Sequence, residues 1–522
     1  MQIRYWNKKV YFKPRQADHP PDRHSKAYLT VFLSLCLPII LSLFLTLIEG
    51  ARLNAIRMQT EITVDTAVDS VLAEFHQELL LQYDFLMIDT SYGTGNPSLS
   101  RTQSHLLDYI EKNLSSTGTL TYGNRDFTSL SVSDVSISDT RFAADNNCAS
   151  LREQITAYMS AEPLGDTVIQ FMELFDEYED FSADQDSYDW QEWVSENKKE
   201  IQEGLEEETD FGSEQEGEEN EDAQMLEEAE SFVEEEGVSS TKATNLFDTL
   251  DQLVSLPLLT QIFGGTSSLS QSSVDTDDYL SHRSVHEGDG ATAENSHGYT
   301  KANEIVFDLY AFEKCGNYAN PLEKSELSYQ IEYLLYGKES DLENLEKTVQ
   351  TLFLIRLAAN LIAIMKDSEK KSEASKWGYA IAILCLHPDM EPLFTTAVLL
   401  IWTYMESLQD MKTLMNGGKV PLIKTSSQWQ TQIISIFSND TSSQSEQEGL
   451  SYEQYLHLLL YTTVNEETKN ERLMDIMEMD IRKTEGNEEF QMDWCMDTFT
   501  VTVTTESSFG YGYSFSREAT YN

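Results

Sequence analysis

A run of twenty residues without a charged side chain, Leu29 to Ile48, constrains this 522-residue chain more than any other feature. As an α-helix it would be about 30 Å long, which matches the hydrocarbon core of a bilayer. The residues before it carry seven basic and two acidic side chains, and such a flank stays in the cytoplasm. A cleaved signal peptide, the competing interpretation, would have a shorter apolar stretch and a small-x-small site. We therefore predict a cytoplasmic tail at 1–28, a single transmembrane helix at 29–48 and an extracellular remainder, anchored in the cell membrane.

Beyond the span the apolar residues keep a helical period. They recur at intervals of three, four and seven, with charged residues between them, so an extended amphipathic helix is predicted over 49–82. The apolar stripe on one face of this helix must be buried from water by other residues. The sequence leaves two alternatives open: the same chain folds back over the stripe, or neighbouring subunits cover it by self-association through this helix.

The acidic residues are concentrated in one block. The chain has 89 acidic and 36 basic residues, and residues 176–236 contain 27 of the acidic ones against Lys198 and Lys199. Because such a block repels itself and buries little apolar surface, we interpret 176–300 as an acidic low-complexity linker. We also expect residues 195–240 to be dispensable for stability. Calcium binding is the alternative, but the block contains no EF-hand loop pattern.

The formal charge of −53 also bears on partners. Phosphate backbones would be repelled by this surface, so nucleic acid is excluded as a partner. The lipid bilayer is the partner that the apolar run itself predicts.

The rest of the chain alternates between two periodicities. Between residues 113 and 142, and again in the last 24 residues, apolar residues alternate with small polar ones, which is typical of half-buried strands. The predicted fold class is α+β and mainly α, with strands distant in sequence joined in one small antiparallel sheet. The predicted domains beyond the amphipathic helix and outside the linker are an α+β head at 83–175, a helical domain at 301–498 and a carboxyl-terminal β segment at 499–522.

Two apolar runs in the helical domain are interpreted as core helices of a bundle. The run from Leu393 to Met405 has only thirteen residues, too few to cross a bilayer, and Arg356 interrupts the other. A second membrane contact is the alternative for both.

The sequence contains no catalytic motif. GxSxG, GxGxxG, P-loop, HExxH and CxxC patterns do not occur, so we predict no catalytic, cofactor-binding or metal-ligating residue and no enzyme activity. His282 and His286 have the spacing of two ligands on one helix face, but HRSVHEGDG is typical of a loop with surface histidines. For the four dispersed cysteines outside the span, disulfides and isolated buried thiols are both open.

Glu49 lies at the outer end of the span and is followed by Arg52. A carboxylate at the bilayer rim has either an assembly role or is simply solvated. The stretch YLTVFLSLCLPIILSLFLTLIEGARLNAIRMQTE, from Tyr28 to Glu61, resembles the amino-terminal helix of TadE-type pseudopilins of tight-adherence pili. In that family an apolar span ends in a Glu followed by a Gly or Ala and an Arg. The resemblance implies that Glu49 and Arg52 are assembly residues, with Glu49 meeting a positive group of a neighbouring subunit.

One departure from the pilin pattern concerns processing. Type IV-like prepilins have a cleavage-site Gly before the span and a Glu five residues into the mature chain, and the segment from Lys26 to Leu33 has neither. This departure favours a permanent anchor over an extractable subunit.

Three further segments resemble a narrower family. LLLQYDFLMIDTSYG from Leu79, SYQIEYLLYGKESDLENL from Ser328 and GGKVPLIKTSSQW from Gly417 are similar to domain-of-unknown-function family 5702, an uncharacterised family found in Gram-positive bacteria beside tight-adherence pilus genes. The family-signature residues in the last segment are Gly417, Gly418, Lys419, Pro421, Lys424 and Trp429.

Two classes of function remain open. The first is a non-enzymatic structural or assembly component of a Tad-like pilus or secretion system, with the other components of that system as partners. The second is a membrane-anchored surface enzyme or an adhesin-like binding protein. The resemblances and the missing motifs favour the first class.

Overall fold

The computed structural model of the chain is mainly helical and contains one small antiparallel sheet, as predicted. It describes residues 23–116, 127–161, 164–186, 219–246, 255–289, 300–322, 324–438 and 448–521. The chain divides into two units. The first unit comprises Met1–Ser70, Gln103–Ser136 and Val501–Arg517, and the second comprises Val71–Thr102, Ile137–Thr500 and Glu518–Asn522.

The regular elements of the described residues are as follows. The helices are α1 (Arg23–Leu72), α2 (Gln77–Tyr83), α3 (Leu99–Ser116), α4 (Asp145–Met159), α5 (Gly165–Asp186), α6 (Glu219–Glu235), α7 (Ser240–Thr244), α8 (Leu258–Phe263), α9 (Lys301–Lys314), α10 (Gln330–Tyr336), α11 (Asp341–Lys366), α12 (Ser368–Leu384), α13 (Glu391–Met415), α14 (Ser435–Ser438), α15 (Tyr452–Thr463) and α16 (Glu466–Arg482). The strands are β1 (Ile88–Asp89), β2 (Leu130–Phe142), β3 (Cys495–Ser507) and β4 (Gly512–Thr520).

Helix α1 contains the predicted span and continues beyond it without a break. None of its most apolar stretch is buried, whereas Ile56, Val64 and Val68 farther along are buried. The chain itself therefore covers the apolar stripe, which was one of the two alternatives. The helix ends at Leu72 and does not reach residue 82, because His76 caps a separate helix, α2, by accepting a hydrogen bond from the backbone of Leu79.

In the first unit, α1 packs against the hairpin of β3 and β4. The Tyr513 hydroxyl donates to Glu61 at 2.7 Å, and Arg517 pairs with Asp65 at 2.6 Å. Both residues lie on β4 at alternate positions, so they point to the same face of the strand. The other face of β4 is exposed.

Strand β3 is the centre of the sheet and pairs with β1, β2 and β4. The Ser131 and Ser133 hydroxyls of β2 donate to backbone carbonyls of Glu506 and Thr504 on β3, more than 370 residues away in sequence. The prediction that distant strands share one sheet is confirmed. The carboxyl-terminal β segment begins at Cys495, four residues earlier than predicted.

Side-chain caps fix where several helices of the second unit begin. Ser340 accepts from the backbone N–H of Glu343 at the start of α11, and Asp367 caps α12. Ser451 forms a capping box with Gln454 at the start of α15. Because the first N–H groups of a helix have no partner within it, these side chains stabilise the observed boundaries.

Two large apolar clusters, and a smaller one of Leu174, Phe175, Ile305 and Leu458, lie among the described residues of the second unit. Helices α2, α4, α9, α10, α15 and α16 contribute mainly to one, α6 and α12 to the other, and α11 and α13 to both. Among the described residues α11 is the second helix long and apolar enough to cross a bilayer, but most of it is buried. It is a core helix, as we interpreted it.

The linker interpretation of residues 176–300 is wrong for much of the described part. Ala229 and Val233 on α6 and Val238 after it are buried with α12 and α13. Leu259, Leu269 and Leu280 are buried in the other cluster. Ala229 and Val233 lie one helical turn apart inside the acidic block, and their burial outweighs the surrounding charge. Residues 187–218, the centre of the block, lie outside the described residues.

The predicted consecutive domains also differ from the two units. The first unit combines α1 with residues 103–136 and 501–517, which we had assigned to the head and the carboxyl-terminal segment. Strand pairing between distant segments explains the difference, because a sheet joins residues irrespective of their separation along the chain.

Candidate functional site

At the carboxyl end of the apolar stretch of α1, Arg52 contacts two loops of the first unit. Its guanidinium donates to Glu49 at 2.8 Å and to the carbonyl of Phe127 at 3.2 Å, and it lies 3.7 Å from the ring centroid of Phe509. The nearby Glu49 carboxylate raises the pKa of Tyr511. The positive partner of Glu49 is thus Arg52 of the same chain, one helical turn away. A contact with a neighbouring subunit stays a prediction.

The segment from Gly417 to Trp429, which contains the family-signature residues and is called the signature segment below, begins where α13 ends. Gly417 has a φ of +82° and donates to the carbonyl of Leu414, and Gly418 donates to that of Thr413 at 2.8 Å. A Cβ atom on Gly418 would lie 2.6 Å from the Thr413 Cγ2 atom. The pair therefore closes the helix in a way that side chains at these positions would disturb.

Lys424, from the same segment, is fully buried between two carboxylates. Its Nζ atom contacts Glu406 and Asp410, which are one turn apart on α13. Asp410 also accepts from Arg356 of α11 at 3.0 Å, and Arg356 donates to the backbone carbonyl of Pro421 at 2.8 Å. We call these four charged side chains, Arg356, Glu406, Asp410 and Lys424, the buried charge network. Two cations and two anions balance within it.

The remaining signature residues have different surroundings. The ring centroid of Trp429 is 5.7 Å from that of Trp402 on α13, and the ammonium of Lys370 lies about 5 Å from both rings. Glu406 also accepts from the backbone and hydroxyl of Thr431. Lys419 is exposed. The signature segment therefore combines a helix cap, a buried lysine and an aromatic contact.

The buried charge network has a structural role. All four side chains are shielded from solvent, so no reactant can approach them. Taking charges out of water costs several kcal/mol per ion unless partners compensate, and here each charge has partners. The network fastens the segment after α13 to α11 and α13.

Sequence reasoning missed a second set of buried acids. Glu478 on α16 accepts from both terminal nitrogens of Arg283, at 2.7 and 2.8 Å, and burial raises the pKa of Glu478 to about 7. Glu332 on α10 accepts from the Tyr452 hydroxyl at 2.6 Å and from the backbone of Tyr318, and burial raises its pKa to about 7 as well. The signal for the first was present in LMDIMEMDIR, where acids alternate with apolar residues.

A cavity of about 450 Å³ opens beside the start of α4. Its wall includes the run Asn146–Cys148, three consecutive residues with φ between +53° and +61°. Three consecutive left-handed backbone conformations are strained for residues other than glycine. Residues with strained backbone are found more often at functional sites than elsewhere. Burial raises the pKa of Cys148 to about 12, so its thiol is protonated at neutral pH and is a poor nucleophile. Glu287, Glu467 and Glu471 make the wall acidic.

In the part of the chain that the structure describes, the histidines and cysteines form neither a metal site nor a disulfide. No three His, Cys, Asp or Glu side chains there are placed to hold one metal ion. The backbone of His286 donates to Asp493, and its ring packs on Phe142. All five cysteines are free, so isolated thiols, not disulfides, are the arrangement found.

A family model described as a family of unknown function (DUF5702) matches residues 236–507, more than half of the chain. The chain belongs to the DUF5702 family. No curated protein and no solved structure matches it. The DUF5702 region contains the whole signature segment, the buried charge network and Glu332 and Glu478. Glu49 and Arg52 lie outside that region.

Proposed function

We propose that this DUF5702 protein is a membrane-anchored, extracytoplasmic component of a tight-adherence type pilus or secretion system, with a structural or assembly role and no enzyme activity. Residues 29–48 would hold it in the cell membrane of a Gram-positive bacterium, with the tail in the cytoplasm and the residues beyond the span outside. Its partners would be the bilayer and the other components of the system.

The observation that carries the proposal is the exposed apolar stretch of α1. It is about 30 Å long, and none of it is buried by the chain, so in water it would expose sixteen apolar side chains. A bilayer covers such a surface at no cost in unsatisfied backbone groups, since the helix satisfies its own.

The chemistry of the DUF5702 region supports a structural role. Glu332 and Glu478, whose pKa values burial raises, are hydrogen-bonded within the fold, and the family-signature Lys424 is closed off from solvent. Charged residues placed in this way specify how segments pack. The pilus assignment itself comes from the resemblance of residues 28–61 to TadE-type helices.

A membrane-anchored binding protein is the second candidate. The cavity beside α4, with its strained wall, favours it, because strain and concavity together are common at binding sites.

The test compares two carboxylates of α1 that each pair with an arginine of the same helix. Glu49 pairs with Arg52, and Glu61 pairs with Arg57 at the same distance of 2.8 Å. Tagged wild type, Glu49→Gln and Glu61→Gln are expressed in the native host, and membrane level and co-purification with the secretion ATPase and platform proteins of the neighbouring locus are measured. We expect all three at normal membrane level, with the partners lost only in Glu49→Gln.

Two results would count against this proposal. If wild type at normal membrane level brings down none of these proteins, the assembly role is wrong. If Glu49→Gln keeps all its partners, Glu49 is a plain interfacial residue and α1 is a simple tether.

A further inference from the structure

We propose that the first unit binds the lipid headgroup layer through an aromatic tip, composed of Phe127, Phe509 and Tyr511. This inference rests on the proposed membrane anchor and extends it. The anchor concerns residues 29–48, whereas the tip belongs to the loop before β2 and the turn between β3 and β4.

The position of Arg52 places the tip at the height of the headgroups. Arg52 is four residues beyond Ile48, about 6 Å along the helix axis. A bilayer is about 40–45 Å thick with its polar regions and about 30 Å without them, so each headgroup layer occupies about 5–8 Å. Arg52 therefore lies within that layer when residues 29–48 fill the hydrocarbon core.

The aromatic residues are held at this height by direct contacts. The Phe509 ring centroid is 3.7 Å and the Phe127 ring centroid 5.2 Å from the Arg52 guanidinium carbon. Tyr511 lies near enough to the Glu49 carboxylate for that negative charge to raise its pKa. Phe509 and Phe127 are 47% and 44% exposed. Two half-exposed phenylalanine rings and Tyr511 at the rim of the span occupy the position of the aromatic belt of membrane proteins, in which Tyr and Trp predominate.

Continuity and charge favour lipid as the occupant. The tip contacts α1 at Arg52, four residues beyond the exposed apolar stretch of the same helix, so the two surfaces are continuous. The turn Ser507–Tyr511 has no charged residue, in a chain with a formal charge of −53, so it does not repel anionic headgroups. Because the tip comes from two separate loops, its contact would restrict the tilt of the first unit on the membrane.

The experiment measures the depth of a spin label on the full chain in vesicles of phosphatidylcholine and phosphatidylglycerol. Cys36 and Cys385 are replaced by Ala, since the other three cysteines are buried. The label is placed at Ser508→Cys, next to the aromatic tip. The control is Ser516→Cys, equally exposed on β4 but about 16 Å farther along the hairpin. Collision rates with oxygen, which partitions into lipid, and with a water-soluble nickel complex are compared.

We expect the label at 508 to favour oxygen and the label at 516 to favour the nickel complex, with Phe509→Ser shifting the 508 label toward the nickel complex. Equal access of the nickel complex to both labels, on protein that floats with the vesicles, would overturn the aromatic tip and leave the anchor intact. A label shielded from both reagents would show a protein contact, such as a second copy, and would also overturn it. Protein that does not float would overturn the anchor itself. Phe127→Cys provides a second labelling site if Ser508→Cys does not fold.

Discussion

Lys424 and Lys419 are five residues apart in the signature segment, yet their surroundings are opposite. Lys419 is exposed, and Lys424 is enclosed by Glu406 and Asp410. Removing a buried ion's partner leaves an uncompensated charge in a medium of low dielectric, which costs more than the pair itself contributes. The matched lysines therefore separate the effect of burial from the effect of losing a charge.

Lys424→Met should destabilise the protein strongly, and Lys419→Met should not. Without the Lys424 ammonium, Glu406 and Asp410 face each other with only Arg356 to compensate, for which we expect a loss of about 3–5 kcal/mol in the free energy of unfolding. Lys419→Met should change it by about 0.5 kcal/mol or less. Urea unfolding of the full chain in micelles measures both. Similar values for the two variants would contradict the structural role of the network.

Glu332 should make stability depend on pH near neutrality. Its folded-state pKa is about 7, against an ordinary value of 4.5, because it is buried with the Tyr452 hydroxyl and no cation among its hydrogen-bond partners. The folded state thus binds the proton more tightly. The contribution is fully present below pH 4.5 and is lost as the pH rises through 7, up to about 3 kcal/mol.

Glu332→Gln, which is neutral at every pH, tests this dependence. The difference in unfolding midpoint between pH 5.5 and pH 8.5 should be smaller in Glu332→Gln than in wild type, with the variant gaining relative to wild type at pH 8.5. Glu346→Gln, an exposed site on α11, is the control and should follow wild type. An unchanged pH dependence in Glu332→Gln would mean that the buried carboxyl is ionised throughout this range.

At the scale of elements, α6 shows how a few apolar residues can order a strongly acidic segment. Ala229, Phe232 and Val233 follow the i, i+3, i+4 pattern of a helix face, and the Phe232 ring contacts that of Trp377 on α12 with centroids 5.3 Å apart. The surrounding glutamates stay in water on the other face. Their net charge makes the segment resemble a linker in composition, but it does not prevent burial of the apolar face.

Val233→Ala should therefore cost about 2 kcal/mol of stability, since it removes two buried methyl groups and leaves a cavity. The adjacent Glu234→Ala, on the exposed face of α6, is the control and should have little effect. Thermal unfolding of the full chain measures both. A neutral Val233→Ala would restore the interpretation of this segment as a dispensable linker.

At the scale of the whole molecule, the sheet determines how the chain is partitioned. Ser131 on β2 and Glu506 on β3 are 375 residues apart, and both units take segments from each end of the chain. Joining such distant segments has an entropic cost that grows only slowly with the length of chain between them, so a long insertion between β2 and β3 is affordable.

The whole-molecule prediction concerns topology. Because the basic flank precedes a single span, protease added to intact wall-stripped cells should degrade everything beyond about residue 50 and spare an amino-terminal tag. Lysed cells, in which both ends are accessible, provide the control. Protection of a carboxyl-terminal tag in intact cells would reverse the orientation.

The features that the sequence by itself determined depend on interactions between residues close together in the chain. The length and uncharged character of residues 29–48, the helical period of α1, α11 and α13, and the alternation in β2, β3 and β4 all depend on neighbours within a few residues. For the same reason, Glu49 and Arg52 could be singled out from their place at the end of an apolar run, whereas their pairing with each other was not predicted.

Tertiary structure decided the features that depend on distant partners. Arg356 interrupts an apolar helix, and only its pairing with Asp410, 54 residues later, makes that burial tolerable. The same holds for Glu332 with Tyr452, and for the hairpin that covers α1. A charge can be buried only where a partner from elsewhere in the chain compensates for lost water, and a sequence pattern records the residue without recording that partner.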